Sequence, residues 1–138
     1  TNPLSDSIQF ADFRLASIDE GAALSAFGVD FDQNGDQIES IFSYKTLGYT
    51  LDFLLEHEIL PEMPTMIKVD VDGIEHLILA GAKETLQNSI CKTVLIEIND
   101  NFSDQANETM SILSECGFSL KEKCHQAGET YNQIWVKG

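Results

Sequence analysis

The chain has 138 residues, with 23 Asp and Glu against 8 Lys and Arg, for a formal charge of -15 at pH 7. That length suits one domain of roughly 100 to 200 residues, and 43% hydrophobic residues with 9% aromatics supply a core, so the acidity belongs to a folded body and not to disorder. Such a surface repels phosphate backbones and anionic lipid, and the few cations are scattered, which argues against nucleic acid and against a basic membrane-binding face.

The longest stretch free of Asp, Glu, Lys and Arg has nine residues, Gly21 to Val29, far short of the ~20 needed to span a bilayer, so no membrane span is predicted. Cys91, Cys116 and Cys124 are odd in number and in no metal-ligand spacing, which predicts reduced, mostly structural thiols. The chain opens without a basic-then-apolar leader, and the expected location is cytoplasmic.

Residues 1 to 48 read as turn-rich and strand-like. Asn34-Gly35 stands between Phe27, Val29 and Phe31 on one side and Ile38, Ile41 and Phe42 on the other, which predicts a hairpin with a two-residue loop, Phe31 across from Ile38 and Asp30 across from Glu39. A strand over Ser40 to Thr46 follows. From Thr50, a plausible N-cap, the apolar residues Leu51, Leu54, Leu55 and Ile59 fall at helical spacing until Pro61 and Pro64. Met66 to Val71 is the next strand, and a helix after Gly73 carries Ile74, Leu77, Ile78 and Leu86. The apolar run in Thr93 to Asn99 predicts a strand buried on both faces. An amphipathic helix with a polar side-chain cap is expected between Ser103 and Gly117, with Ala106, Met110, Leu113 and Cys116 on one stripe. Two strands, near Ser119 to Lys123 and Gln133 to Lys137, close the chain. This order predicts an α/β fold with a mostly parallel sheet and a C-terminal antiparallel strand, preceded by the hairpin region.

In such sheets ligands sit beyond the carboxyl ends of parallel strands, and here those ends are acidic. Asp70 and Asp72 stand two apart after one strand, which predicts a shared face. Glu75 opens the next helix, where the dipole also favours its charge. Glu97 and Asn99 share a face at the end of the next strand. Lys68, on the Asp70 face, is expected to form a buried ion pair with Glu97. Carboxylates in this pattern suit a general base, a metal ligand or a hydrogen-bond acceptor, and spacing leaves all three open.

The run Ile67-Lys68-Val69-Asp70-Val71-Asp72-Gly73-Ile74-Glu75, continued by Leu79-Ala80-Gly81-Ala82, resembles the signature of FkbM-type, S-adenosylmethionine-dependent methyltransferases. Thr50-Leu51-Asp52, the strand with Glu97, and Asn132 resemble the same family. The resemblance is good from about Tyr49 to Ala82, fair through Asn99 and weak outside. Asp72 stands where the family usually has Glu. It implies a Rossmann-like fold, S-adenosylmethionine as cofactor, and methylation of a hydroxyl on a sugar, glycolipid or polyketide. It points to Asp70, Asp72, Glu75 and Glu97 as active-site residues, with Lys68 and Asn99 as support for the cofactor. Asp70 or Glu97 is the first choice of base, and His76 the second, since an unperturbed imidazole titrates near neutral pH.

The family's cofactor site needs a Gly-rich turn after a first strand. No two of the nine glycines lie closer than seven residues, so that half is expected upstream of Thr1. The chain then reads as one incomplete domain, with a strand and hairpin region at 1–48 and a C-terminal methyltransferase half at 49–138, inactive alone. The strand at Met66 to Val71 would then show an open edge inviting self-association. Two other readings compete. Asp30, Asp32, Asn34 and Asp36 copy the first half of an EF-hand loop, although Ile41 stands where the bidentate Glu belongs. A non-enzymatic acidic α/β interaction module is the other. His57 and His125 are expected in solvent, and Trp135 in the core.

Overall fold

The computed structural model describes residues 2–18, 25–32 and 34–138. A three-stranded sheet comes first. β1 (Gln9–Leu15) lies between β2 (Ser25–Phe27) and β3 (Phe42–Gly48), antiparallel to both. The register sets Asp12 across from Lys45 and places Phe13 between Phe27 and Tyr44. Because side chains alternate, the charged pair and the aromatic rings occupy opposite faces.

The predicted hairpin is corrected. β2 pairs with β1 and not with β3, and the turn around Asn34-Gly35 is longer than two residues. Asp32 closes it: its N–H donates to the Asp36 carbonyl at 2.8 Å, and its Oδ1 accepts from the N–H groups of Asn34 at 2.7 Å and Asp36 at 3.1 Å. An Asp side chain that satisfies backbone donors this way offers the chain an alternative to a tight primed turn. Phe31 therefore bridges to Gln37, and the Asp30 carbonyl accepts from Ile38 at 2.8 Å. The expected opposition of Asp30 and Glu39 does not form.

Thr50 caps α1 (Leu51–Glu56) as predicted, its Oγ1 accepting from the Phe53 N–H at 3.0 Å. The helix stops before Ile59. Glu58 adopts φ 55°, and the N–H groups of Glu58 and Ile59 return to the carbonyls of Leu55 and Leu54 at 3.1 and 2.9 Å, a Schellman closure made without glycine.

The second sheet has the order β4-β5-β7-β6, from β4 (Met66–Val69), β5 (Thr93–Asn99), β6 (Ser119–Ala127) and β7 (Thr130–Val136). It is mixed, not mostly parallel: β4 and β5 are parallel neighbours, and β7 runs antiparallel to both β5 and β6. The last two strands form a hairpin at Gly128-Glu129, which inserts β7 beside β5 and sends β6 to the outside. β4 is the other outer strand.

The helix expected after Gly73 is two, α2 (Glu75–Ala80) and α3 (Lys83–Gln87). The N-terminal segment crosses this break, where a Cβ at Gly81 would collide with the Ser5 carbonyl. Asp52 caps α3 from a distance: its carboxylate accepts from the N–H groups of Glu84 at 2.9 Å and Thr85 at 2.8 Å, and from the Thr85 hydroxyl at 2.6 Å. α4 (Ser103–Glu115) starts at Phe102 with no side-chain cap, contrary to expectation. It ends in a full Schellman motif, with Gly117 at φ 86° and bonds from Gly117 to Ser114 and from Phe118 to Leu113, both 3.0 Å.

The core lies between the second sheet and its helices. Val94, Ile96 and Ile98 of β5 pack with Ile78 and Leu79 of α2, and with Ala106, Ile112 and Leu113 of α4. Leu95 and Glu97, on the opposite face, are half-buried. β5 is thus covered fully on one face, because the helices pack where Val94, Ile96 and Ile98 point. Trp135 is buried, as are Cys91 and Cys116, while Cys124, His57 and His125 are exposed. Among the described residues no helix is long and apolar enough to cross a membrane.

Candidate active site

β4 ends at Val69, so Asp70, Val71 and Asp72 leave the sheet and the alternation of a strand no longer applies to them. The two aspartates nonetheless meet. Both line one cleft of about 470 Å³, together with Phe13, Ser25 and Phe27 of the first sheet and Ile74 before α2. The Asp72 carboxylate accepts from the Ser25 N–H at 3.2 Å, which joins the two sheets at the cleft. Gly73, with φ 108°, turns the chain from this segment into α2.

Glu75 follows, and it is 5% exposed. Its Oε1 faces the Gly73 N–H at 3.4 Å. Burial pushes its carboxyl up to about 7; backbone donors pull the other way, and the charges of Asp72 and Glu97 add to the rise. Glu97, on β5, is likewise raised, first by burial and then by Asp70 and Asp72, with Lys68 opposing. Carboxylates from the end of β4, the start of α2 and the end of β5 thus share one electrostatic neighbourhood.

Lys68 is corrected. Its ammonium lies 2.6 Å from Asp70, and the pair is more than half exposed, so it is neither buried nor made with Glu97. The parallel register sets Lys68 beside Leu95, two residues short of Glu97, and the nearer carboxylate takes the contact. Asn99 is buried and structural on two sides: its Nδ2 donates to Asn34 Oδ1 at 2.9 Å, and its Oδ1 accepts from the Asn101 N–H at 3.0 Å. Phe31 and Phe102 meet edge to face at 5.6 Å beside this link. His76 faces elsewhere, with Glu108 and Asp6 as its charged neighbours; burial lowers its pKa. In the 30–36 turn, Asp32 is spent on backbone donors, and the described residues bring together no group of three or more His, Cys, Asp or Glu fit to hold a metal.

A family model, the methyltransferase FkbM domain, matches residues 10–120. The chain belongs to the FkbM methyltransferase family. The match extends well beyond the Tyr49 to Asn99 stretch that carried the resemblance, and takes in the first sheet and α4. Neither a curated protein nor a solved structure matches the chain. Within this FkbM domain, the cleft residues that sequence reading missed include Phe13, Ser25 and Phe27. They come from strands far from the signature in sequence, and no local pattern marks them. Asp52 belonged to the resemblance, but its role as a remote helix cap required the fold. Asn132, also in the resemblance, stands directly across from Glu97 on β7.

Proposed function

We propose that this FkbM domain forms the acceptor side of an S-adenosylmethionine-dependent O-methyltransferase, built on a Rossmann-like half in which β4, α2, α3 and β5 form the central β-helix-β unit. The observation that carries the reading is the convergence of Asp70, Asp72, Glu75 and Glu97 at the carboxyl ends of the parallel pair, inside a chain matched to the family over residues 10–120. When bound, S-adenosylmethionine supplies a methyl group on a positively charged sulfur. Asp70 and Asp72, which line the cleft, complement that charge, which is how the residues present fit the group; a Gly-rich turn to approach its adenosyl moiety is not among them.

The chain's own residues handle the acceptor. A hydroxyl that attacks a methyl group must be aligned and must lose its proton. Glu97 is the base: burial and the charges of Asp70 and Asp72 strengthen its hold on a proton, while Asp70 itself is taken up in an ion pair with Lys68. Asp72, fixed by the Ser25 N–H, orients the hydroxyl. An amine acceptor is disfavoured here, because a cluster of carboxylates holds an amine as ammonium, which has no lone pair to methylate. The family's sugar, glycolipid and polyketide hydroxyls remain the acceptor class.

The test uses the protein that carries this chain, with labelled S-adenosylmethionine and a panel of hydroxylated acceptors. Glu97→Gln is expected to lower kcat by about 10²- to 10⁴-fold with little change in KM. Full activity in Glu97→Gln and Asp70→Asn alike would remove both carboxylates from the chemistry.

A further inference from the structure

The first sheet carries a feature that proton transfer does not use. On the face opposite Asp12 and Lys45, Phe13, Tyr44 and Phe42 form a row, with ring centroids 5.6 Å apart for Phe13 and Tyr44 and 5.9 Å for Tyr44 and Phe42. One end is inside the cleft, since Phe13 lines it beside Asp70 and Asp72. The other end is open: Tyr44 is 42% and Phe42 51% exposed. An antiparallel sheet normally solvates its charged face and buries its apolar one. Here the outer half of the apolar face is left uncovered, continuous with the carboxylates.

We propose that Phe13, Tyr44 and Phe42 form a platform on which the acceptor lies, and that the acceptor is an uncharged hydroxylated ring. The inference rests on the methyltransferase reading and specifies where its acceptor binds. Ring faces offer apolar stacking surface, and the carboxylates at the inner end accept hydrogen bonds from hydroxyl groups. Charge selects among ligands. Lys68 is held by Asp70, and Arg14 and Lys45 pair with Asp12 on the other face, so no described cation is left over on the platform for a phosphate or carboxylate. A cationic acceptor would be attracted, but as an ammonium it has no electron pair for a methyl group.

The experiment is a titration of the labelled 138-residue chain, followed by NMR, with two forms of one ring: methyl β-glucoside and glucose 6-phosphate. Methyl β-glucoside is expected to shift the signals of Phe13, Phe42 and Tyr44, and glucose 6-phosphate to leave them in place. The double variant Phe42→Ala with Tyr44→Ala, at exposed positions, should keep the Trp135 and Phe118 signals of the core and weaken the glucoside by roughly tenfold. The proposal is overturned if the glucoside moves none of these signals, if glucose 6-phosphate moves them as strongly, or if the double variant binds as before. No methyl transfer is read, so failure here leaves the Glu97 experiment standing, and failure there leaves this one.

Discussion

β1, β3, β5 and β7 are each seven residues long, yet they are buried very differently. β5 buries Val94, Ile96, Ile98 and Asn99, whereas β3 buries only Gly48. The cause is the second layer: α2 and α4 close over β5, while the first sheet meets the rest of the chain mainly through Phe27, the cleft and the 30–36 turn. Stability is therefore concentrated around β5, and the aromatic face of the first sheet is left partly open. Its aromatic face is half inside the site and half in solvent.

Breaking the comparison is easiest in the second sheet. Leu113→Ala, at a fully buried position on α4, should cost about 3 to 5 kcal/mol in urea unfolding, whereas the exposed Phe42→Ala should stay within about 0.5 kcal/mol. Equal losses would contradict the division. The next effect comes from a buried carboxylate at the start of α2. Glu75 has an ordinary value of 4.5 and a folded value of about 7. Below 4.5 both folded and unfolded chains keep the proton; between the two values the unfolded chain releases it first, so stability falls as pH rises and levels off above 7. The fall attributable to this buried group is about 3 kcal/mol. Glu75→Gln should abolish it and stabilise the protein at the alkaline end, and a slope unchanged in the variant would assign the pH dependence elsewhere.

Smaller effects sharpen the picture. Asp52→Ala should cost about 1 to 2 kcal/mol, since it uncaps α3 and leaves the Thr85 hydroxyl unpaired; Asp52→Asn, which keeps one acceptor oxygen, should recover part of it. At the end of α1, Glu58 holds a left-handed conformation that costs a non-glycine residue about 1 kcal/mol. Glu58→Gly should raise the melting temperature slightly, and a lower value would show that the Glu side chain contributes something the backbone does not reveal.

Much of the fold is legible in the residues. The Thr50 cap, β5, the extent of α4 and the stripe of Ala106, Met110, Leu113 and Cys116 follow from period and end signals, because those are properties of a few neighbouring residues. That Asp70, Asp72, Glu75 and Glu97 lie near enough to feel one another's charge was also readable, from their places at the ends of the two parallel strands and from the FkbM signature. The expected partner of Lys68 was not. Alternation places Lys68 on the right face but says nothing of which carboxylate lies nearer once the chain leaves the sheet at Asp70.

The sequence by itself determined a folded, acidic α/β chain of the FkbM methyltransferase family with its carboxylates at strand ends. Tertiary structure alone decided that β7 enters between β5 and β6, that Asp52 caps α3, and that Phe13, Ser25 and Phe27 wall the cleft. Each of these joins residues distant in the chain. Local periodicity is silent about such pairings, since they are set by which apolar faces can be buried together and which backbone groups still need a partner.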